Sequence, residues 1–172
     1  MTEGAGLEAS KVFPAKLEKL IREKGFPGVS VTADGVSGST SDTGPGRLKA
    51  RLEGGEKYDI LVLALGANDG LRGMDLQALR KNLSGTIVLA RSAGLQVLLA
   101  GMRVPPLNGL GYMKEFKDLF PALAGEEKVA LVPFLLEGVA AQPKLNLDGM
   151  HPNEAGHERV AWNVYQSLEP LL

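Results

Sequence analysis

The chain has 172 residues, of which 44% are hydrophobic and 23% charged, with a formal net charge of -1 and no cysteine. These are globular proportions in a chain long enough to bury a core as one domain, 1–172. A disulfide scaffold, a thiolate nucleophile and cysteine-ligated zinc are excluded, and the charge gives no reason to expect nucleic acid or an anionic membrane as partner.

The chain opens Met-Thr-Glu-Gly-Ala-Gly, with neither the basic region nor the apolar stretch of a signal peptide. Residues 10–24 place Val12, Phe13, Leu17, Leu20 and Ile21 on one helical stripe, with charges opposite and Gly25 as the stop. Val29-Ser30-Val31-Thr32 is a β-branched run and predicts a short strand, followed by a Gly/Ser loop over 34–41. A helix is expected over 45–53 with Leu48 and Leu52 inward. Residues 58–65 form a continuous apolar run that suits a parallel strand covered on both faces. It ends in Gly66-Ala67-Asn68-Asp69. Leu76, Leu79, Leu83, Ile87 and Ala90 then mark a helix over 75–93, with Gly94 as its C-terminal cap. Another buried strand is expected over 96–100, a loop over 101–106, a helix over 112–124 and a strand over 129–132. No apolar run approaches the ~20 residues of a membrane span. Pro152 suits a first helical turn, and 154–168 closes the chain as a helix with Val160, Ala161, Val164, Tyr165 and Leu168 on one face.

Strand followed by helix, four times over, means an α/β domain with a parallel sheet. The functional loops of such sheets lie beyond the carboxyl ends of the strands. The glycine-bearing loops 34–41, 66–70 and 101–106 take those positions, where Asp148 and His151 are expected to join them.

Each candidate site residue has a bland reading beside the chemical one. Asp148-Gly149-Met150-His151 can be a polar turn ahead of a helix. It can also be a carboxylate holding one imidazole nitrogen so that the other serves as a base. Asn68 and Asp69 are good helix caps, whereas a side-chain amide at a strand end can donate to a developing oxyanion. Gly38 reads as a turn glycine or as an unobstructed backbone N–H aimed at that oxyanion. His157 reads as a solvated residue on the exposed face of the last helix.

Together, Val36-Ser37-Gly38-Ser39-Thr40-Ser41, the run Gly-Ala-Asn-Asp-Gly-Leu-Arg-Gly over 66–73, and Asp148-Gly149-Met150-His151-Pro152-Asn153 resemble the SGNH (GDSL-type) hydrolases. The likeness is strongest to their bacterial acyl-thioesterase, arylesterase and lysophospholipase branch. Met102-Arg103-Val104-Pro105-Pro106 also looks like that branch's loop after the fourth strand. The resemblance implies a flavodoxin-like three-layer α/β/α sandwich with five parallel strands in the order 2-1-3-4-5. It implies Gly38 and Asn68 as oxyanion donors, His151 as general base and Asp148 as its orienting partner. Neither metal nor cofactor is implied, and the substrate is a small acyl ester or thioester.

One block departs from the family. Its Gly-Asp-Ser-Leu, which carries the nucleophilic serine at the end of the first strand, has no counterpart. Thr2-Glu3-Gly4-Ala5-Gly6-Leu7 matches the usual continuation of that block, and Met1 stands at the place of its Leu. Ser10 falls on the first helix, and Ser37, Ser39 and Ser41 belong to the second block. The expectation is therefore a domain that is incomplete at its N-terminus, lacks its central strand and is inactive as it stands. The alternative is a non-catalytic pseudo-enzyme whose 34–41 loop cradles an anion with backbone N–H groups. An anion cradle has no use for an oriented base, which favours the hydrolase. Acyl-chain length, oligomeric state and compartment are left open by the sequence; export follows only if a signal peptide preceded these residues.

Overall fold

The computed structural model describes Thr2, Gly4 and residues 6–172; Met1, Glu3 and Ala5, part of the expected continuation of the first block, lie outside the described residues. Among the described residues six helices and three strands follow one another: α1 (Phe13–Glu23), α2 (Thr43–Glu53), β1 (Ile60–Leu63), α3 (Ala67–Leu71), α4 (Leu76–Ser92), β2 (Gln96–Ala100), α5 (Leu110–Glu127), β3 (Ala130–Val132) and α6 (Glu154–Leu168). Short 3-10 turns stand at Ala9–Lys11, Pro106–Asn108, Pro143–Leu145 and Glu169–Leu171. Residues 38–134 with Leu171 make one compact unit; residues 1–37 and 135–170 with Leu172 make the other.

The unit of residues 38–134 is built on a parallel sheet in the order β1-β2-β3, with Leu61 opposite Val97 and Leu99 opposite Leu131. Parallel neighbours need a crossover, and α4 and α5 supply the two. The middle strand β2 buries Val97, Leu98, Leu99 and Ala100, each large side chain worth roughly 1.5–3 kcal/mol. Leu79, Leu83, Ile87 and Ala90 of α4 and Phe116, Leu119, Phe120 and Leu123 of α5 are buried at helical spacing. The Phe116 and Phe120 rings meet edge to face at 5.3 Å. Asp75 starts α4 by accepting the Ala78 N–H at 2.7 Å, a cap worth about 1 kcal/mol.

Three expectations change here. The run over 58–65 was to be covered on both faces, yet Ile60, Leu61 and Val62 are half-buried and only Leu63 is fully buried. The reason is topological: among the described residues β1 pairs with β2 alone, so it is an edge strand. Among the described residues the sheet has three strands, in the arrangement expected for strands 3-4-5 of the five-stranded order. Val29-Ser30-Val31-Thr32 is not a strand. A strand exists only in a ladder, and its polar groups are taken instead by side chains of α1. Glu18 Oε2 accepts the Val31 N–H at 2.7 Å, and Arg22 Nε donates to the Val29 carbonyl at 3.0 Å. Hydrogen exchange should separate the centre of the sheet from its edge. Amides of 97–100 are expected to exchange about tenfold or more slowly than those of 60–63, and equal rates would show that the outer edge of β1 is covered.

In the other unit α1 packs on α6. Val12, Phe13, Leu17 and Ile21 are buried, as are Val160, Ala161, Val164, Tyr165 and Leu168. Lys16 ties the two helices by bonding Glu154 at 2.9 Å and Glu158 at 3.0 Å. Ser10 sits in the 3-10 turn before α1 rather than on the helix. Pro152 precedes the N-cap of α6 and so lies outside its first turn. His157 is a correction of another kind: it is buried, 1% exposed, and its Nδ1 accepts the Phe13 N–H at 3.2 Å. A helix start leaves orphan N–H groups, and the imidazole satisfies one that Val12, the apolar N-cap, cannot.

Candidate active site

The loop over 145–153 holds the base candidate. Its two limbs are joined by an antiparallel bridge between Asn146 and Pro152 and by the Leu147 N–H donating to the His151 carbonyl at 2.7 Å. Asn146 Nδ2 ties the base of the loop to the Val139 and Gln142 carbonyls at 2.8 and 2.7 Å. Asn153 ends it by capping α6: its Oδ1 accepts the Gly156 N–H at 3.0 Å, while its Nδ2 donates to the Lys144 carbonyl at 2.9 Å.

At the tip, Asp148 does two jobs with two oxygens. Its Oδ1 accepts the backbone N–H groups of Met150 at 3.0 Å and His151 at 2.8 Å, which is the polar turn of the bland reading. Its Oδ2 lies 2.7 Å from His151 Nδ1. Both readings of the motif therefore describe the same four residues. The hydrogen bond to the imidazole, followed by the two backbone N–H bonds, lowers the Asp148 pKa to about 2. An ionised carboxylate is acceptor only, so Nδ1 carries the proton of this bond, and in a neutral imidazole the lone pair is then on Nε2. The pair is open to solvent, with 43% of the His151 side chain and 56% of the Asp148 side chain exposed, so a reacting group can approach it directly.

The oxyanion candidates lie in the unit of residues 38–134. Gly66, at φ +105°, turns the chain from β1 into α3, a conformation that side-chain-bearing residues rarely adopt. Asn68 and Asp69 were expected as possible caps, but no side chain caps α3. Asn68 Nδ2 donates instead to the Ser39 carbonyl at 2.8 Å, which leaves its second proton without an acceptor among the described residues. Gly38, at φ +74°, is exposed, and its carbonyl accepts from Arg72 Nη2 at 3.1 Å. The contact between the 38–41 loop and α3 thus brings Gly38 and Asn68 into one cluster. Ser41 is fully buried and donates its hydroxyl to Asp69 at 2.5 Å. Sequence reasoning did not anticipate that pair, although the one carboxylate of the Gly-x-Asn-Asp run, beside a loop rich in hydroxyls, was a signal for it. No group of three or more metal-ligating side chains stands together among the described residues, and no helix there is long and apolar enough to cross a membrane.

Comparison with known proteins bears on the family. Residues 1–159 match the GDSL-like Lipase/Acylhydrolase family. Esterase TesA of Pseudomonas aeruginosa is 42% identical over 168 residues, covering 97% of this chain and 83% of that protein. The Escherichia coli protein named thioesterase 1/protease 1/lysophospholipase L1 is 34% identical over 173 residues, covering 100% of this chain and 81% of its own length. A crystal structure of TesA superposes with a TM-score of 0.89 at 40% identity, covering 98% of this chain and 93% of that one.

Proposed function

This chain belongs to the GDSL-like lipase/acylhydrolase family, an α/β fold of ester-cleaving enzymes, and from that premise we propose that it is the body of a serine hydrolase of small carboxylic esters or thioesters. The observation that carries the proposal is the 2.7 Å contact between Asp148 Oδ2 and His151 Nδ1, because acyl transfer through a serine needs an imidazole held in one tautomer. In the scheme, His151 Nε2 takes the proton of a serine hydroxyl as its oxygen attacks the acyl carbon. The resulting oxyanion accepts hydrogen bonds from the Gly38 N–H and the second Asn68 Nδ2 proton. Collapse breaks the bond to the leaving oxygen or sulfur, which takes the serine's proton from His151 and departs as the alcohol or thiol. Water then repeats the sequence on the acyl-enzyme and releases the acid. The esterase and thioesterase names of the relatives support both leaving groups.

The family resemblance puts the serine of this scheme in a Gly-Asp-Ser block for which these residues have no counterpart, and Ser41, which is buried and spends its proton on Asp69, is no substitute. The 172 residues alone are therefore expected to hydrolyse p-nitrophenyl butyrate no faster than their His151→Ala variant. An apolar strand and Gly-Asp-Ser joined ahead of Met1 should produce His151-dependent turnover, since an aligned nucleophile converts a bimolecular attack into a unimolecular one. A His151-dependent burst of p-nitrophenol from the unextended chain would place the nucleophile on one of its own serines. No turnover from the extended chain would reject the hydrolase reading.

A further inference from the structure

We infer that Asp69 is the positioning residue of the oxyanion donors, fixing the loop that carries Gly38 against the helix that carries Asn68. The inference rests on the oxyanion reading above. Asp69 is 2% exposed, and a carboxylate so buried must be met by strong donors. One loop residue supplies them: the Ser41 N–H reaches Oδ1 at 3.1 Å and Oδ2 at 2.9 Å, and the Ser41 hydroxyl donates to Oδ1 at 2.5 Å. With its proton committed, Ser41 Oγ is an acceptor, and Asn82 of α4 donates to it at 3.0 Å. The carboxylate, the hydroxyl and the amide thus form a chain in which each polar group has its partner, from α3 through the loop to α4.

That chain is one of three rungs that join the loop to α3 and its C-cap. Asn68 Nδ2 to the Ser39 carbonyl lies beside it, and Arg72 to the Gly38 carbonyl lies beyond. The Arg72 rung is exposed to competing water and the Asn68 rung is part-buried, whereas the Asp69 rung is sealed and charge-assisted, hence the strongest. It also fixes the two donors at once, because Asp69 is covalently next to Asn68 and Ser41 is three residues from Gly38. Asp69 touches no reacting atom in this scheme; it acts through its neighbours.

The test uses Asp69→Asn, which keeps the shape and removes the charge. In the 172-residue chain, the Gly38 backbone amide and the Asn68 side-chain amide should shift in the NMR spectrum. The Ser41 amide should exchange about 100-fold faster as its rung opens. Unchanged Gly38 and Asn68 signals would overturn the inference. In the serine-bearing chain, Asp69→Asn should lower kcat about 10- to 100-fold with KM within about twofold. Added to Asn68→Ala it should lower kcat by less than it does alone, since only the Gly38 donor is then left to position. Full additivity would overturn the inference, whereas an Asn68→Ala variant with parental kcat would reject the oxyanion reading and leave the NMR result to decide the positioning role. Should Asp69→Asn lack a cooperative thermal transition, Ser41→Ala, which removes only the hydroxyl arm, replaces it in both measurements with the same outcomes.

Discussion

In a chain that carries the nucleophilic serine, His151→Ala is expected to lower kcat by about 10⁴- to 10⁶-fold with little change in KM, the range reached when a member of a nucleophilic triad is removed. A serine hydroxyl is a poor nucleophile until its proton has somewhere to go. Among the described residues His151 is the exposed imidazole, the other histidine being 1% exposed and already accepting the Phe13 N–H. Asp148→Asn separates orientation from loop structure. An amide oxygen at Oδ1 still accepts the Met150 and His151 N–H groups, so the turn survives. The amide nitrogen now faces Nδ1 as a donor, which moves the imidazole proton to Nε2 and removes the lone pair from the side that needs it. A loss of about 10³- to 10⁴-fold in kcat follows. Steady-state kinetics with p-nitrophenyl butyrate measures both. A His151→Ala variant within tenfold of its parent would mean that the base is another group.

The parts of this fold that the sequence makes legible are those where one residue type has one physical use. The apolar period of 154–168 reproduces α6, and the apolar run at 96–100 reproduces β2, because burial on a known period decides both. Val29-Ser30-Val31-Thr32 fails because a β-branched run states a preference, while a strand also needs a partner. Glu18 and Arg22 occupy the groups that a partner would have used. The candidate site was legible where spacing is local: Asp148 and His151 are three residues apart, so a single turn brings them together. Gly38 and Asn68 are thirty residues apart in sequence, and only the resemblance to a family joined them beforehand. The buried chain from Asp69 through Ser41 to Asn82 was not legible, since serine, aspartate and asparagine are equally good surface residues and nothing in their types announces burial. His157 was legible and misread. It stands three, four, seven, eight and eleven residues before Val160, Ala161, Val164, Tyr165 and Leu168, on the apolar face itself, and its polarity outweighed its position.

That misplaced histidine makes acid the weak point of the α1–α6 pair. Burial, aided by the nearby Lys16 ammonium, lowers the His157 pKa from 6.5 to about 4. Protonation would also remove the acceptor of the Phe13 N–H and set a positive charge at the N-terminal, positive end of α1. Glu154 and Glu158, the acidic side chains bonded to Lys16, stand nearby and are already engaged with that ammonium. The unfolded chain binds this proton as pH falls through about 6.5, whereas the folded chain binds it only near 4. Between those values the unfolded state holds more protons, so stability falls as pH falls. The loss begins near 6.5 and is complete below about 4, on the order of 3 kcal/mol. That is a large share of a net stability of about 5–15 kcal/mol. Urea unfolding from pH 7.5 down to pH 4 should show it as a falling midpoint at constant slope. His157→Asn retains an acceptor near the position of Nδ1 and cannot titrate. It should be less stable at pH 7.5, through the smaller side chain, yet lose about 3 kcal/mol less than the parent between pH 7 and 4. If parent and variant lose the same amount across that window, the acid sensitivity belongs to the carboxylates, and the buried imidazole is only a cap for α1.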